Sequence, residues 1–211
     1  MRLHKGKSFL APPRLFKAER ALFFPNFHGQ TLHKDKLLRD TTPLLSDKIS
    51  IVSVFSSRWA ENQALTFSSE KQNPEINEVV KNSGGLAQMV KINIEDNALK
   101  AWLVRIFMGG LRKSFGESNW GRYFLVRNEI TNEIRDAVGL LNGKVGYTYL
   151  LDGQCRIRWA ASGVAEGGEK EGLVKGAQRL LEEARTNKTT VLPTLQGGKP
   201  AADAKVAASA A

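Results

Sequence analysis

The run Lys48–Ser57 (KISIVSVFSS) constrains the fold of this chain more than any other stretch. Its β-branched residues, with apolar side chains at Ile49, Ile51 and onward, predict a central strand buried on both faces. A strand of that kind needs other strands on either side and helices above and below it.

The remaining segments supply those neighbours. Residues Ala60 to Asn82 predict helix, broken or kinked at Asn73-Pro74, where proline removes a backbone donor. Leu86 to Ile94 (LAQMVKINI) predicts a second strand. Asn97 to Phe115 predicts a helix with Leu99, Trp102, Leu103, Ile106, Phe107 and Leu111 on one face. Arg122 to Arg127 predicts a third strand, and Ile130 to Val138 a short helix. Val145–Leu151 and Cys155–Ala160 form a hairpin around the two-residue turn Asp152-Gly153. Glu169–Arg185 closes the domain as an amphipathic helix with acids in its first turn. The expected fold class is α/β, with a mixed central sheet and helices on both faces.

The ends differ from this middle. Residues 1–19 form a basic N-terminal segment with no acid before Glu19, the bias of a mitochondrial presequence remnant. The stretch before the first strand, FPNFHGQTLHKDKLLRDTTPLLSDK, is turn-rich and predicts an irregular entry. The domain is expected over 20–185. Residues 186–211, rich in alanine, glycine and lysine, have little to bury and are expected to be disordered.

Composition narrows the chemistry. Cys155 is the sole cysteine, which rules out an intramolecular disulfide, a CxxC pair and a cysteine zinc site. His4, His28 and His33 all precede the domain's first long strand, so no imidazole is expected for a triad or metal site, and no catalytic residue, metal or cofactor is assigned. Apolar runs such as Leu103 to Met108 stop well short of the roughly 20 residues that span a bilayer. The net charge of +10 favours an acidic partner or anionic surface. No nucleic-acid motif accompanies it, and the bases are spread along the chain, so no nucleic-acid partner is expected.

The order of elements is the thioredoxin-like one. FPNFHGQTL and YTYLLDGQCRIRW resemble the entry and closing hairpin of peroxiredoxin-related and thiol-disulfide reductase domains. In those reductases the long strand runs into a tryptophan followed at once by Cys-x-x-Cys. Here it runs through Arg58 into Trp59, and the cysteine positions fall on Ala60 and Gln63, neither of which can form a thiolate. The family's cis-proline position falls on or next to Gly146. Cys155 is expected to pack as a small apolar side chain.

Four separated phrases, FFPNFHGQTL, VSVFSSRWAENQ, INIEDNALKAWLV and VGYTYLLDGQCRIRWAASGVA, resemble the mitochondrial ATP synthase assembly factor family, the fungal "ATPase complex subunit 10" proteins, over about Pro12 to Arg185. The resemblance implies a chaperone-like protein, not an enzyme, peripheral on the matrix side of the inner membrane. Its implied partner is newly made subunit 6 (Fo subunit a), which it helps to join the subunit 9 ring. Two rivals stand beside it: a thiol-dependent peroxidase or disulfide reductase, and a peripheral lipid-binding protein.

Arg58, Trp59, Glu61 and Asn62 occupy the strand end and helix start where α/β folds present ligands. They are either a converted protein-binding patch or, for Trp59, packing with solvated charges around it. The helix around Trp102–Leu111 is either a core helix or offers a surplus apolar side to a membrane or partner. Phe23, Phe24, Pro25, Phe27 and His28 are expected to pack across the sheet edge, with His28 hydrogen-bonded rather than metal-bound.

Overall fold

The structure is a computed structural model describing residues 6–95, 98–127 and 131–191, without the side chains of 98–103, 105, 132 and 187–191. The expected tail, 186–211, is corrected at its start, since the closing helix continues through 186–191; residues 192–211, together with His4 and the side chains of Leu99, Trp102 and Leu103, lie outside the described residues.

Lys48–Ser57 is the hub, as its composition demanded. Its strand β3 (Ile49–Phe55) is buried at every position. β4 (Ala87–Ile94) pairs with it in parallel and β6 (Tyr147–Leu151) antiparallel. The sheet continues through β5 (Tyr123–Val126), parallel to β4, and β7 (Ile157–Ser162), antiparallel to β6. Two further strands, β1 (His28–Thr31) and β2 (Leu38–Asp40), form within the stretch expected to be irregular, giving the order β2-β1-β5-β4-β3-β6-β7. Their pairing is set by the sheet edge that β5 leaves open rather than by apolar alternation, which is why composition hid them.

Helices cover both faces. A short helix α1 (Thr42–Leu45) and α5 (Asn132–Ala137) flank one apolar layer built on Val52, Val54, Ile92, Phe124, Tyr147 and Tyr149. On the other face lie α2 (Arg58–Ser68), α3 (Pro74–Lys81) and α6 (Glu169–Val191), packed on Ile51, Leu150, Trp159 and Ala161. α2 and α3 are the expected helix split at Pro74, with Asn73 capping α3 by accepting from the Ile76 amide. α4 (Ala98–Phe115) joins the smaller cluster of Leu32, Phe55, Ala60, Met108 and Tyr123.

Three sequence expectations change. The hairpin connection is not a two-residue turn: Asp152–Arg156 intervene, with a bulge between Leu150 and Leu151. The Asp152 carboxylate accepts from the Gln154 and Arg156 amides, each at 3.0 Å, a local turn that competes with the tight hairpin. Cys155 consequently sits in the turn at φ 60°, not in the strand. Second, α4 is not fully covered. Met108 is buried, but Ile106 is 54% and Phe107 66% exposed.

Third, the basic segment is part of the fold from Gly6 onward. Lys7 forms an ion pair with Glu169 at 2.7 Å, both side chains almost fully buried, and also donates to the Val164 carbonyl. The Ala11 amide donates to the same carboxylate, and the Trp159 indole donates to the Pro12 carbonyl. The aromatic cluster divides: Phe24 and Phe27 are buried edge to face, while Phe23 is exposed. His28 hydrogen-bonds Asp40 at 3.0 Å.

Candidate functional site

β3 ends at Phe55 and the chain turns at once into α2. Ser57 caps that helix, its hydroxyl accepting from the Ala60 amide at 3.2 Å. This strand-to-helix corner lies at the carboxyl ends of the parallel strands β3, β4 and β5, where a ligand crevice is expected.

The two positions corresponding to thiols are closed. Ala60 has no exposed surface, and Gln63 is buried. The Gln63 side-chain oxygen accepts from the Gly146 amide at 2.9 Å. Gly146 lies so close to α2 that a Cβ there would stand 2.1 Å from the Ala60 carbonyl oxygen. Neither a proline nor a second side chain fits between α2 and β6, and among the described residues there is no cis peptide. A hydrogen bond thus joins the two positions that the resemblance assigns to a reductase thiol and cis-proline.

Glu61 sits in the first turn of α2, where the helix dipole favours an anion. Its carboxylate pairs with Arg58 and with Lys91, each at 3.0 Å. The Lys91 ammonium in turn stands 5.0 Å from the centre of the Phe115 ring. Behind them Asn93 donates to the Tyr123 hydroxyl at 3.0 Å, and burial pushes the Tyr123 phenol up to about 12.

A groove of about 470 Å³ opens between α2 and α4. Arg58 and Glu61 form one wall; Val104, Phe107 and Leu111 of α4 form the other, over Phe55 and Tyr123. The four residues singled out from sequence are therefore split. Arg58 and Glu61 line the groove, Arg58 largely exposed. Trp59 is 53% exposed and points away from it, toward Gly6 and Val145. Asn62 is exposed on the outer face of α2 and lines no groove described here.

Lys91 and Tyr123 lie outside the residues singled out from sequence, whereas the exposed side of α4 is the surplus apolar side weighed there as the alternative to a core helix. A lysine inside an otherwise apolar strand was a readable signal for the first, since a charge there requires a partner. For α4 the signal was its apolar character nearly all the way round.

The hydroxyls of the groove are engaged: Ser56 donates to the Gly143 carbonyl, Ser57 accepts from the Ala60 amide and Tyr123 accepts from Asn93. The Glu61 carboxylate is paired with Arg58 and Lys91, and Cys155 lies in the hairpin turn instead, its thiol pushed up by burial and 3.9 Å from the Ser46 hydroxyl. Among the described residues no cluster of His, Cys, Asp and Glu is arranged to hold a metal, and no helix is long and apolar enough to cross a membrane. What the corner offers is an apolar wall facing one carboxylate paired with two bases.

Fold and site together define a thioredoxin-like domain whose strand-to-helix corner carries no cysteine, Cys155 being the sole one in the chain. A secreted thiol-disulfide isomerase from Corynebacterium glutamicum has the same fold, at a TM-score of 0.53 and 11% identity, covering 86% of this chain and 98% of that one. The chain belongs to the family described as ATP10 protein, whose sequence pattern matches residues 1–180. It is 33% identical over 178 residues to the mitochondrial ATPase complex subunit ATP10 of Eremothecium gossypii, and 30% identical over 187 residues to that of Saccharomyces cerevisiae. Those matches cover 82% and 83% of this chain but 64% and 66% of the two relatives, so the chain spans just under two thirds of their length.

Proposed function

We propose that this protein is a mitochondrial assembly factor for the membrane Fo sector of ATP synthase, working by contact and without turnover. Its partner in this reading is newly made subunit 6, which it holds until that subunit joins the subunit 9 ring, at the matrix face of the inner membrane. Family membership supports the assembly role, since the relatives are named as subunits of the mitochondrial ATPase complex.

The observation that carries the reading is the groove at the former thiol corner. Ala60 and Gln63 are buried there, while Phe107 stands exposed across the groove from Arg58, with Ile106 exposed next to it on α4. An apolar wall next to charge suits a segment of an unassembled membrane protein, whose ionisable groups are costly to leave without partners. Arg58 can answer such a group, and Phe107 the apolar surface around it.

The test is cross-linking in mitochondria that are synthesising labelled subunit 6, followed by recovery of this chain. The wild type is compared with Arg58→Ala, Trp59→Ala, Glu61→Ala and Asn62→Ala combined, and with Ile106→Ser plus Phe107→Ser. Labelled subunit 6 should be recovered with the wild type and lost with either folded variant. No recovery with the wild type would remove the central contact. Recovery unchanged in both variants would move it off this groove.

A further inference from the structure

The strip from Leu10 to Phe23 is surface that the proposed function leaves unused. It runs along the β7 edge: the Phe16 amide donates to the Arg158 carbonyl at 2.7 Å, the Ile157 amide to the Leu22 carbonyl at 2.8 Å, and Phe23 bridges to Arg156. Inward-facing anchors fix it there. Phe9 packs on the core, Leu15 lies against Leu150 and Gly176, and the buried Lys7–Glu169 pair ties down its start. A backbone held in this way cannot turn its remaining apolar side chains inward. Leu10 is 61%, Phe16 40%, Leu22 60% and Phe23 67% exposed. Single exposed apolar residues are ordinary; several on one short strip mark a contact surface.

Between this strip and α5 lies a groove of about 620 Å³. Phe9, Val138, Ile157 and Ala160 make its walls apolar, and Lys17 and Arg20 stand on its rim with Asp136 opposite. Neither base has a side-chain partner among the described residues.

We propose that the groove and its apolar border dock onto an anionic phospholipid bilayer. One acyl chain enters the groove, the headgroup phosphate lies between Lys17 and Arg20, and Leu22 and Phe23 enter the acyl boundary. The groove's size is that of a small-ligand site, and its lining matches an acyl chain. The two unspent bases select an anionic headgroup. A soluble fatty acid would fill the groove yet leave Leu10, Leu22 and Phe23 in water, whereas a bilayer covers them. The inference deepens the peripheral-membrane part of the reading above, and its test contains no protein partner, so either can fail without the other.

The experiment is flotation of the full chain at physiological salt with vesicles of phosphatidylcholine alone, or with added cardiolipin. The wild type should float with the cardiolipin vesicles only. Lys17→Gln with Arg20→Gln should weaken partitioning about 30-fold, at roughly fivefold per base. Leu22→Ser with Phe23→Ser should abolish it, and Ile106→Ser with Phe107→Ser should leave it intact. A Phe16→Trp reporter should be quenched by lipids brominated in their acyl chains beyond the quenching that the four native tryptophans of the unaltered chain show, which keeps the test valid even if the serine pair fails to fold. Equal flotation with neutral vesicles, no flotation, binding that only the α4 variant loses, or a reporter quenched no more than the unaltered chain would each overturn the proposal.

Discussion

Gly146→Ala tests whether the thiol corner is held shut by backbone contact. The added Cβ would meet the Ala60 carbonyl oxygen at 2.1 Å, the Ala60 carbonyl carbon at 3.0 Å and the Ala64 amide nitrogen at 3.2 Å. A comfortable carbon-to-oxygen approach is about 3.3 Å. α2 would therefore have to move by roughly 1 Å, because a helix backbone cannot rotate its carbonyl aside. Overpacking of this kind costs about 1–3 kcal/mol. The shift also stretches the Gly146–Gln63 hydrogen bond, worth about 1 kcal/mol and buried. The expected loss is about 3 kcal/mol, and at about 2–4 °C per kcal/mol for a domain of this size the midpoint falls by about 6–12 °C. Urea unfolding followed by circular dichroism measures it, with the m-value unchanged. Gly110→Ala, in the interior of α4 with nothing within 4 Å of its Cβ, should instead be neutral or stabilise by up to about 1 kcal/mol. A Gly146→Ala loss below about 0.5 kcal/mol would refute the closed-corner account, because ordinary surface changes reach that size.

Three further outcomes follow from the packing. Lys7→Met leaves the Glu169 carboxylate buried without its cation and should cost about 3–5 kcal/mol, much of it recovered by adding Glu169→Gln; equal loss in single and double variants would count against the pair. Cys155 should alkylate slowly in the native state and quickly in urea, since burial raises its thiol, and Cys155→Ser should leave assembly function intact; loss of function would instead implicate the thiol. Burial raises Tyr123 from 10.0 to about 12 and raises Tyr149 further, so the unfolded chain surrenders these protons first. Stability is complete below about pH 10 and declines as pH rises through 12, and tyrosinate absorbance should appear together with loss of structure in a pH titration; early ionisation in an intact fold would contradict this burial.

What could be read from the sequence follows from how locally each element is specified. β3 was legible because a strand buried on both faces has to be apolar throughout. The split between α2 and α3 was legible because a proline states its own position. β1 and β2 were not: Gly29 is needed there because a Cβ would stand 2.8 Å from the Leu125 carbonyl, a contact set by a strand nearly a hundred residues away in the chain. The place of residues 6–23 was hidden for the same reason, since Lys7 looks like any surface base until Glu169 is brought beside it. Of the site, the strand end and helix start were visible, but not the direction of each side chain. Helical periodicity sends Arg58 and Glu61 to one side of α2 and Trp59 and Asn62 elsewhere, and only the position of α4 decides which side becomes a groove.

The helix N-terminus that a reductase uses to hold a thiolate is used here for a different anion. Glu61 takes the favourable position in the first turn of α2, and Arg58 and Lys91 neutralise it. Ala60 and Gln63 meanwhile seal α2 against Gly146, so the corner gains rigidity where a redox site would need access. Charges already paired with one another contribute little net attraction to a partner. Affinity at this corner must then come from covering Phe107 and its neighbours on α4. Arg58, the exposed member of the charge set, is free to leave Glu61 to Lys91 and turn to whatever anion a partner presents.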